Sequence, residues 1–212
     1  MKISMIGTGN MARGIGTRLV AGGHEVMFIG QEKDKAAEAQ QAVQSAGKAG
    51  QVSTGALTDD LGEVVILAVP FGANVDLVRK LGSRLAGKTV VDIANPLKPT
   101  YDGLATAADS SSAEEVAKAA AAGVHVVKAF NTTFAGTLMS GKAGGLPLDV
   151  FIAGDDADAK AKVITLVKDG GMRPVDSGPL KHARYLEGIQ FLHIILQGSL
   201  GTNWASGLKI VS

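Results

Sequence analysis

The chain has 212 residues, enough for one large domain or a domain with an appendage, and its 46% hydrophobic and 19% charged residues describe a globular protein with a sizeable core. A formal net charge of +1, with no long run of one sign, argues against nucleic acid or an acidic membrane surface as a partner. The lack of cysteine excludes disulfides, thiolate metal sites and thiol catalysis. No apolar stretch reaches the ~18 residues needed to span a bilayer. The first strand starts at the N-terminus and leaves no room for a signal peptide, so a cytoplasmic protein is expected.

Ile3 to Ile6 is a short apolar run ending in glycine and reads as a buried strand. Met11, Ile15 and Leu19 follow at helical spacing, which predicts a helix from about Asn10. Between them, Gly7, Gly9 and Ala12 occupy the small positions of the dinucleotide fingerprint G-x-G-x-x-G/A. Gly7 would make the tight turn, Gly9 would let a pyrophosphate approach the backbone, and Ala12 would let the helix pack close. An ordinary glycine turn could also join a strand to a helix. Its position, after the first strand and opening an amphipathic helix, favours the nucleotide site.

Gly22-Gly23 ends that helix, and His24 to Gly30 reads as a second strand. Lys33 to Ala46, rich in Ala, Glu, Gln and Lys, should be helical, and Gln51 to Ser53 a short third strand. Val64 to Val69, ending at Pro70, has the continuous apolar character of a strand buried on both faces. A helix is expected over Asn74 to Leu85, a fifth strand over Thr89 to Ile93, and a loop from Asn95 to Ser111. Ser112 and Glu115 suggest a capping box for the next helix, before a sixth strand at Val124 to Ala129. The rhythm then changes: strand Leu148 to Ala153, helix Asp156 to Lys168, strand Met172 to Val175, and one long helical stretch from Leu180 to about Trp204.

Leu186, Ile189, Phe191, Leu192, Ile194, Ile195 and Leu196 go nearly all the way round that last helix, which predicts burial against its own sheet or another subunit. The alternation predicts an α/β fold: a Rossmann-type, doubly wound, mainly parallel sheet over residues 1–135, with a C-terminal helical extension at 136–212 closing a cleft.

In such a sheet, ligands bind outside the carboxyl ends of the strands. Here those ends carry Ala68-Val69-Pro70, Ala94-Asn95-Pro96 and Phe130-Asn131-Thr132, and show no nucleophile set, paired carboxylates or His cluster at metal spacing. No catalytic side chain and no metal are expected. The arrangement suits chemistry resident in cofactors, such as hydride transfer between stacked rings. Asn95 and Asn131 are neutral amides able to hold a carboxamide or a ring edge. Asp92 and Lys128 would bond the backbone or each other. His125 and His193 read as structural, His24 as exposed, and Arg13 as solvated.

The run Ile6-Gly7-Thr8-Gly9-Asn10-Met11, the strand ends Ala68-Val69-Pro70 and Lys128-Ala129-Phe130-Asn131-Thr132, and Asp176-Ser177-Gly178-Pro179-Leu180 with Ala183-Arg184-Tyr185-Leu186-Glu187 resemble the NADP oxidoreductases dependent on the deazaflavin coenzyme F420. Gly207-Leu208-Lys209-Ile210 is similar too, so the resemblance covers essentially the whole chain. The cytosolic reductase domains of transmembrane iron reductases share it. The resemblance implies NADP(H) on the glycine turn and a deazaflavin, or a flavin, stacked on the nicotinamide. Gly7, Thr8, Gly9, Asn10 and Met11 would bind the pyrophosphate. Ala68, Val69 and Pro70 would line the nicotinamide side near Asn95 and Asn131, and Gly178, Pro179 and Leu180 would approach the second ring. Family members commonly place serine and arginines after the second strand to bind a 2′-phosphate; this chain has Gly30, Gln31 and Glu32, leaving Gln31, Lys33 and Lys35 as candidates. The resemblance also implies a homodimer, through the C-terminal helix. The expected function is hydride transfer between NADP(H) and a flavin-like acceptor. The alternatives are a nucleotide-binding sensor or scaffold without turnover, and a reductase of a small carbonyl or imine.

Overall fold

The structure, a computed structural model, describes residues 1–46 and 49–211. Its first half alternates strand and helix except where β3 passes directly to β4: β1 (Lys2–Ile6), α1 (Asn10–Ala21), β2 (Glu25–Ile29), α2 (Lys33–Ala46), β3 (Gln51–Gly55), β4 (Val64–Leu67), α3 (Phe71–Leu81), β5 (Thr89–Asp92), α4 (Ser112–Ala119) and β6 (His125–Lys128). Then come α5 (Ala135–Ser140), a small hairpin of β7 (Lys142–Ala143) and β8 (Leu146–Pro147), β9 (Asp149–Gly154), α6 (Ala157–Asp169), β10 (Arg173–Asp176), α7 (Ala183–Ile195) and α8 (Gln197–Leu200).

One sheet holds eight strands in the order β10-β9-β6-β5-β4-β1-β2-β3. The six strands from β3 to β6 are all parallel, and every residue of β4 and β5 is buried, as expected of central strands covered on both faces. Strand order reverses between β1 and β4, which opens a crevice at their carboxyl ends. β9 then runs antiparallel to β6, with Val127 opposite Gly154, and β10 runs parallel to β9 at the edge. Strands of the C-terminal segment therefore complete the same sheet.

Two apolar layers sandwich this sheet. On one face Ile3, Met5 and Phe28 meet Ile15 and Leu19 of α1, Leu138 of α5 and Val163 of α6. On the other, Val65, Leu67 and Val90 meet Val78 of α3, Leu85 and Val116 of α4. Each such side chain is worth roughly 1.5–3 kcal/mol of burial. The C-terminal tail is clasped to the sheet at Asp149, a buried carboxylate that accepts from Arg173 Nε at 2.7 Å, Lys209 Nζ at 2.8 Å and the Ile210 N–H at 2.9 Å. Burial alone would raise the Asp149 pKa, but these donors outweigh it and hold the carboxyl well below the usual range.

Several local expectations are corrected. The helix from Asn74 begins earlier, at Phe71, and tightens to a 3-10 turn over Gly82–Leu85. Helix α4 is capped one residue earlier than expected: the Ser111 side chain accepts from the Glu114 N–H at 3.2 Å, and Ser111 Oγ donates to Glu114 Oε2 at 2.8 Å. His24 is buried rather than exposed. The stretch Leu180 to Trp204 is not one helix: a 3-10 turn at Leu180–His182 precedes α7, and Gly201, left-handed at φ 62°, ends α8. Nor is it sunk in apolar surroundings. α7 buries Glu187, Gln190 and His193 and turns Ile189, Leu192 and Ile195 outward.

Candidate functional site

The crevice starts at the turn after β1. The Gly7 N–H donates to the Ile29 carbonyl at 2.9 Å, stitching the turn to the end of β2. Gly7 has φ +124°, and a Cβ there would lie 2.2 Å from the Ala68 carbonyl oxygen, so only glycine allows β1 and β4 to diverge this closely. Gly9 is the N-cap of α1 in extended backbone; a Cβ on it would meet nothing within 4 Å, and no side chain caps the helix. No acidic residue stands in the first turn of α1 either. An open, uncapped helix start with a flat glycine approach is what a pyrophosphate requires. Thr8 and Met11 are half-buried around this opening and Asn10 is exposed. Arg13 is not simply solvated: its Nε donates to the Thr8 carbonyl at 3.0 Å and its Nη2 lies 3.3 Å from Glu38, so it braces the outer wall of the turn.

At the end of β2, a Cβ on Gly30 would sit 3.0 Å from Thr8 Cγ2, so the two turns touch. Gln31 and Lys33 are exposed beside them. Lys35 is engaged, its Nζ 2.8 Å from Glu32 Oε1, and that carboxylate holds the ammonium above its ordinary pKa.

On the other side of Gly7, the Ala68 N–H donates to the Ile6 carbonyl at 2.8 Å, and the half-buried Ala68 and Val69 lead to exposed Pro70, the N-cap of α3. Farther along the strand ends, Asn95 Nδ2 donates to the Asn131 carbonyl at 2.9 Å, while Asn131 Nδ2 donates to Asn95 Oδ1 at 3.0 Å and to the Leu186 carbonyl at 3.0 Å. These partners fix which way each amide points. Phe130, just before Asn131, is buried with φ 63°, a left-handed conformation that costs a bulky residue of order 1–3 kcal/mol and marks a tightly determined corner. The structure thus gathers Gly7, Thr8, Gly9, Asn10, Met11, Ala68, Val69, Pro70, Asn95 and Asn131 along one row of strand ends, with Gln31, Lys33 and Lys35 at its β2 margin.

Gly178, Pro179 and Leu180 do not join them. Because β9 is antiparallel to β6, the chain leaves β9 and β10 beside the amino end of β6, and the Gly154 N–H donates to the Gly178 carbonyl there at 3.1 Å. Leu180 is buried with Val126 in the core, and its N–H donates to Asp155 Oδ1 at 2.8 Å. His182 Nδ1 lies 2.6 Å from the Ser177 carbonyl oxygen in the same region.

Beneath Asn95 and Asn131 lies a buried ionic cluster. Lys128 Nζ is 2.8 Å from Asp92 Oδ2 and 2.6 Å from Glu187 Oε1, and all three side chains are inaccessible to solvent. Burial raises the Glu187 pKa, as does nearby Asp92, while the Lys128 ammonium opposes them. The cluster and the bond from Asn131 to Leu186 together fasten α7 to the strand ends. Among the described residues no group of three or more His, Asp or Glu side chains could hold a metal ion, and no helix is long and apolar enough to cross a membrane.

The sequence profile described as NADP oxidoreductase, coenzyme F420-dependent, matches residues 2–96, which run from β1 through the glycine turn to the far side of Asn95. An F420-dependent NADP reductase from Methanothermobacter marburgensis is 31% identical over 92% of this chain and 92% of its own. The chain belongs to the coenzyme F420-dependent NADP oxidoreductase family. Its fold follows suit: a solved structure from Arthrobacter sp. FB24, described as a candidate F420-dependent NADP reductase, superposes with a TM-score of 0.85 at 30% identity over the whole of both chains. The metalloreductase STEAP3 of Rattus norvegicus is also similar, 32% identical over 99% of this chain, which spans 40% of that protein. These relationships make this family member an NADP-dependent oxidoreductase in the broad sense.

Glu187 escaped sequence reasoning as a partner of Lys128. Its signal was a lone carboxylate amid the apolar residues of α7, opposite a Lys and an Asp that stand in register, Asp92 beside Lys128, in otherwise apolar strands.

Proposed function

We propose that the protein transfers hydride between NADP(H) and a deazaflavin such as F420, or a flavin, stacked against the nicotinamide. The observation that carries the reading is the β1–α1 turn: Gly7 fits closely against Ala68, Gly9 is open, and the start of α1 is uncapped. These residues fit a nicotinamide dinucleotide. Its pyrophosphate would be held by the N–H groups of the α1 start, and its ring would run along Ala68, Val69, Pro70, Asn95 and Asn131. Lys33, beside Gln31, and Lys35, if it exchanges Glu32, would meet a 2′-phosphate. The bound cofactor supplies the hydride. The chain binds, orients and excludes water with neutral groups in direct contact with the ring.

The distinguishing experiment is steady-state oxidation of NADPH. Turnover with F420 or free flavin and weak turnover with simple ketones or imines supports the reading. Robust ketone or imine reduction without a flavin-like acceptor refutes it, and tight NADPH binding without turnover of any acceptor assigns the protein to the sensor class.

Assembly is part of the same proposal. Tyr185, Ile189, Leu192, Ile195, Leu196 and Leu200 form an exposed apolar stripe along α7 and α8, large for a surface left in water. A second copy presenting the same stripe is the occupant we propose, giving a homodimer with a self-complementary helical interface.

A further inference from the structure

Lys128, Asp92 and Glu187 are three buried ionisable groups that hydride transfer itself does not use. Their hydrogen bonds define their charge. Asp92 Oδ2 faces Lys128, and Asp92 Oδ1 accepts from Asn74 Nδ2 at 2.8 Å and the Ala94 N–H at 3.3 Å. Glu187 Oε1 faces Lys128, and Oε2 accepts from the Ser112 N–H at 3.1 Å, at the partly positive start of α4. Every carboxylate oxygen meets a donor, and at Glu187 the Lys128 ammonium and the Ser112 N–H oppose the burial that raises its pKa. Two carboxylates and one ammonium leave a formal charge of −1 in a region water does not reach.

That charge sits next to the Asn95–Asn131 end of the crevice, where the proposed function puts the nicotinamide. Lys128 Nζ donates to the carbonyl of Ala94, the residue before Asn95, and Glu187 follows Leu186, whose carbonyl is bonded to Asn131. The crevice residues at that end, Ala68, Val69, Pro70, Asn95 and Asn131, are all uncharged. NADP+ and NADPH differ by one positive charge, on the ring. Resting on the function proposed above, we propose that the Lys128–Asp92–Glu187 cluster is an electrostatic bias on the bound ring. Its net negative charge favours the cationic pyridinium over the neutral dihydropyridine, and so sets the hydride-donating strength of the bound coenzyme. In a buried, poorly screened setting such a bias reaches farther than a surface charge could.

Because adenine, ribose and phosphates are common to both coenzyme forms, the ratio of their affinities isolates the ring. Full-length protein is titrated calorimetrically with NADP+ and with NADPH, alongside Glu187→Gln, which removes one negative charge with little change of shape. The ratio Kd(NADP+)/Kd(NADPH) should rise about three- to tenfold in the variant, the scale of one unit charge removed at an effective dielectric of a few tens. Asp92→Asn removes the same charge from β5 and should move the ratio the same way, and it decides the matter if the Gln variant does not fold. A structural role alone would weaken both forms in step, so a ratio within twofold of the parent in a folded variant overturns the inference. Failure of the parent to bind either form would instead overturn the proposed function.

Discussion

Asn95 and Asn131 clasp each other across the ends of β5 and β6, each amide nitrogen donating to the other residue, at 2.9 and 3.0 Å. Asn131 is the buried member and also reaches the Leu186 carbonyl of α7 at 3.0 Å, so one side chain ties two strand ends to the C-terminal helix. Asn131→Leu keeps the volume and leaves Asn95 Oδ1 and the Leu186 carbonyl without their donor. The expected cost is about 1–3 kcal/mol, read as a lower urea midpoint. NADPH affinity should fall as well, and an unaltered midpoint would show that the clasp contributes nothing.

The two glycines of the first turn should respond in opposite ways. Gly9→Val places a branched side chain into open space, so the melting temperature should hold while NADPH binding weakens at least tenfold, about 1.4 kcal/mol. Gly7→Ala meets both a φ of +124° and the Ala68 carbonyl, and should destabilise the fold by roughly 2 kcal/mol or more. Fluorescence titration and thermal melts separate the two effects. A Gly9→Val protein that binds NADPH normally would remove the turn from the site.

His24 should make stability fall in mild acid. Its Nδ1 lies 3.2 Å from the N-terminal ammonium and its Nε2 3.2 Å from Asp169. Burial, then the ammonium, hold the imidazole below its ordinary value of 6.5, outweighing the pull of Asp169. The unfolded chain titrates at the ordinary value, so below about pH 6.5 it takes up the proton first and the folded state loses ground. That loss continues until the lower folded value is passed; above about pH 6.5 the contribution is constant. The urea midpoint should drop as the pH falls below about 6.5, and His24→Gln should flatten that drop. An identical slope in the variant would refute the assignment.

The outward face of α7 predicts a mass. Light scattering at micromolar concentration should give twice the 21.6 kDa of one chain. Leu192→Asp or Ile195→Asp should yield folded monomers, because both side chains are exposed within one copy and neither fills its core. A parent protein that runs as a monomer would refute the dimer.

Much of this was readable from local chemistry. The bounds of α2, the four buried residues of β4 and the turn from Gly7 to Gly9 follow from composition and spacing that neighbouring residues impose. The misreadings have a shared cause in distant partners. Ser111 with Glu114 and Ser112 with Glu115 satisfy the same capping spacing; in the structure Ser111 is the cap, and the Ser112 N–H is taken by the distant Glu187. The apolar residues of α7 predict burial against its own sheet or another subunit; the sheet side carries Lys128 and Asn131, so the polar face turned inward and the apolar face outward. Gly178 to Leu180 were assigned to the crevice by resemblance. The reversal of β9 against β6, which no local pattern encodes, carries them to the opposite end of the sheet.

The free edge of the sheet at β10 has one more consequence. Arg173 and Ser177 turn their N–H groups toward β9, donating to the carbonyls of Leu148 at 2.8 Å and Ile152 at 2.7 Å. The alternation of a strand then aims the backbone nitrogen of Pro174 away from the sheet, where proline has no hydrogen to offer. A neighbouring chain arriving at this border finds its docking rail broken in the middle of a strand only four residues long. The break hinders copies of the protein from stacking edge to edge into a runaway ribbon on this side and shifts any association here toward side chains, which can be selective in a way a bare backbone cannot.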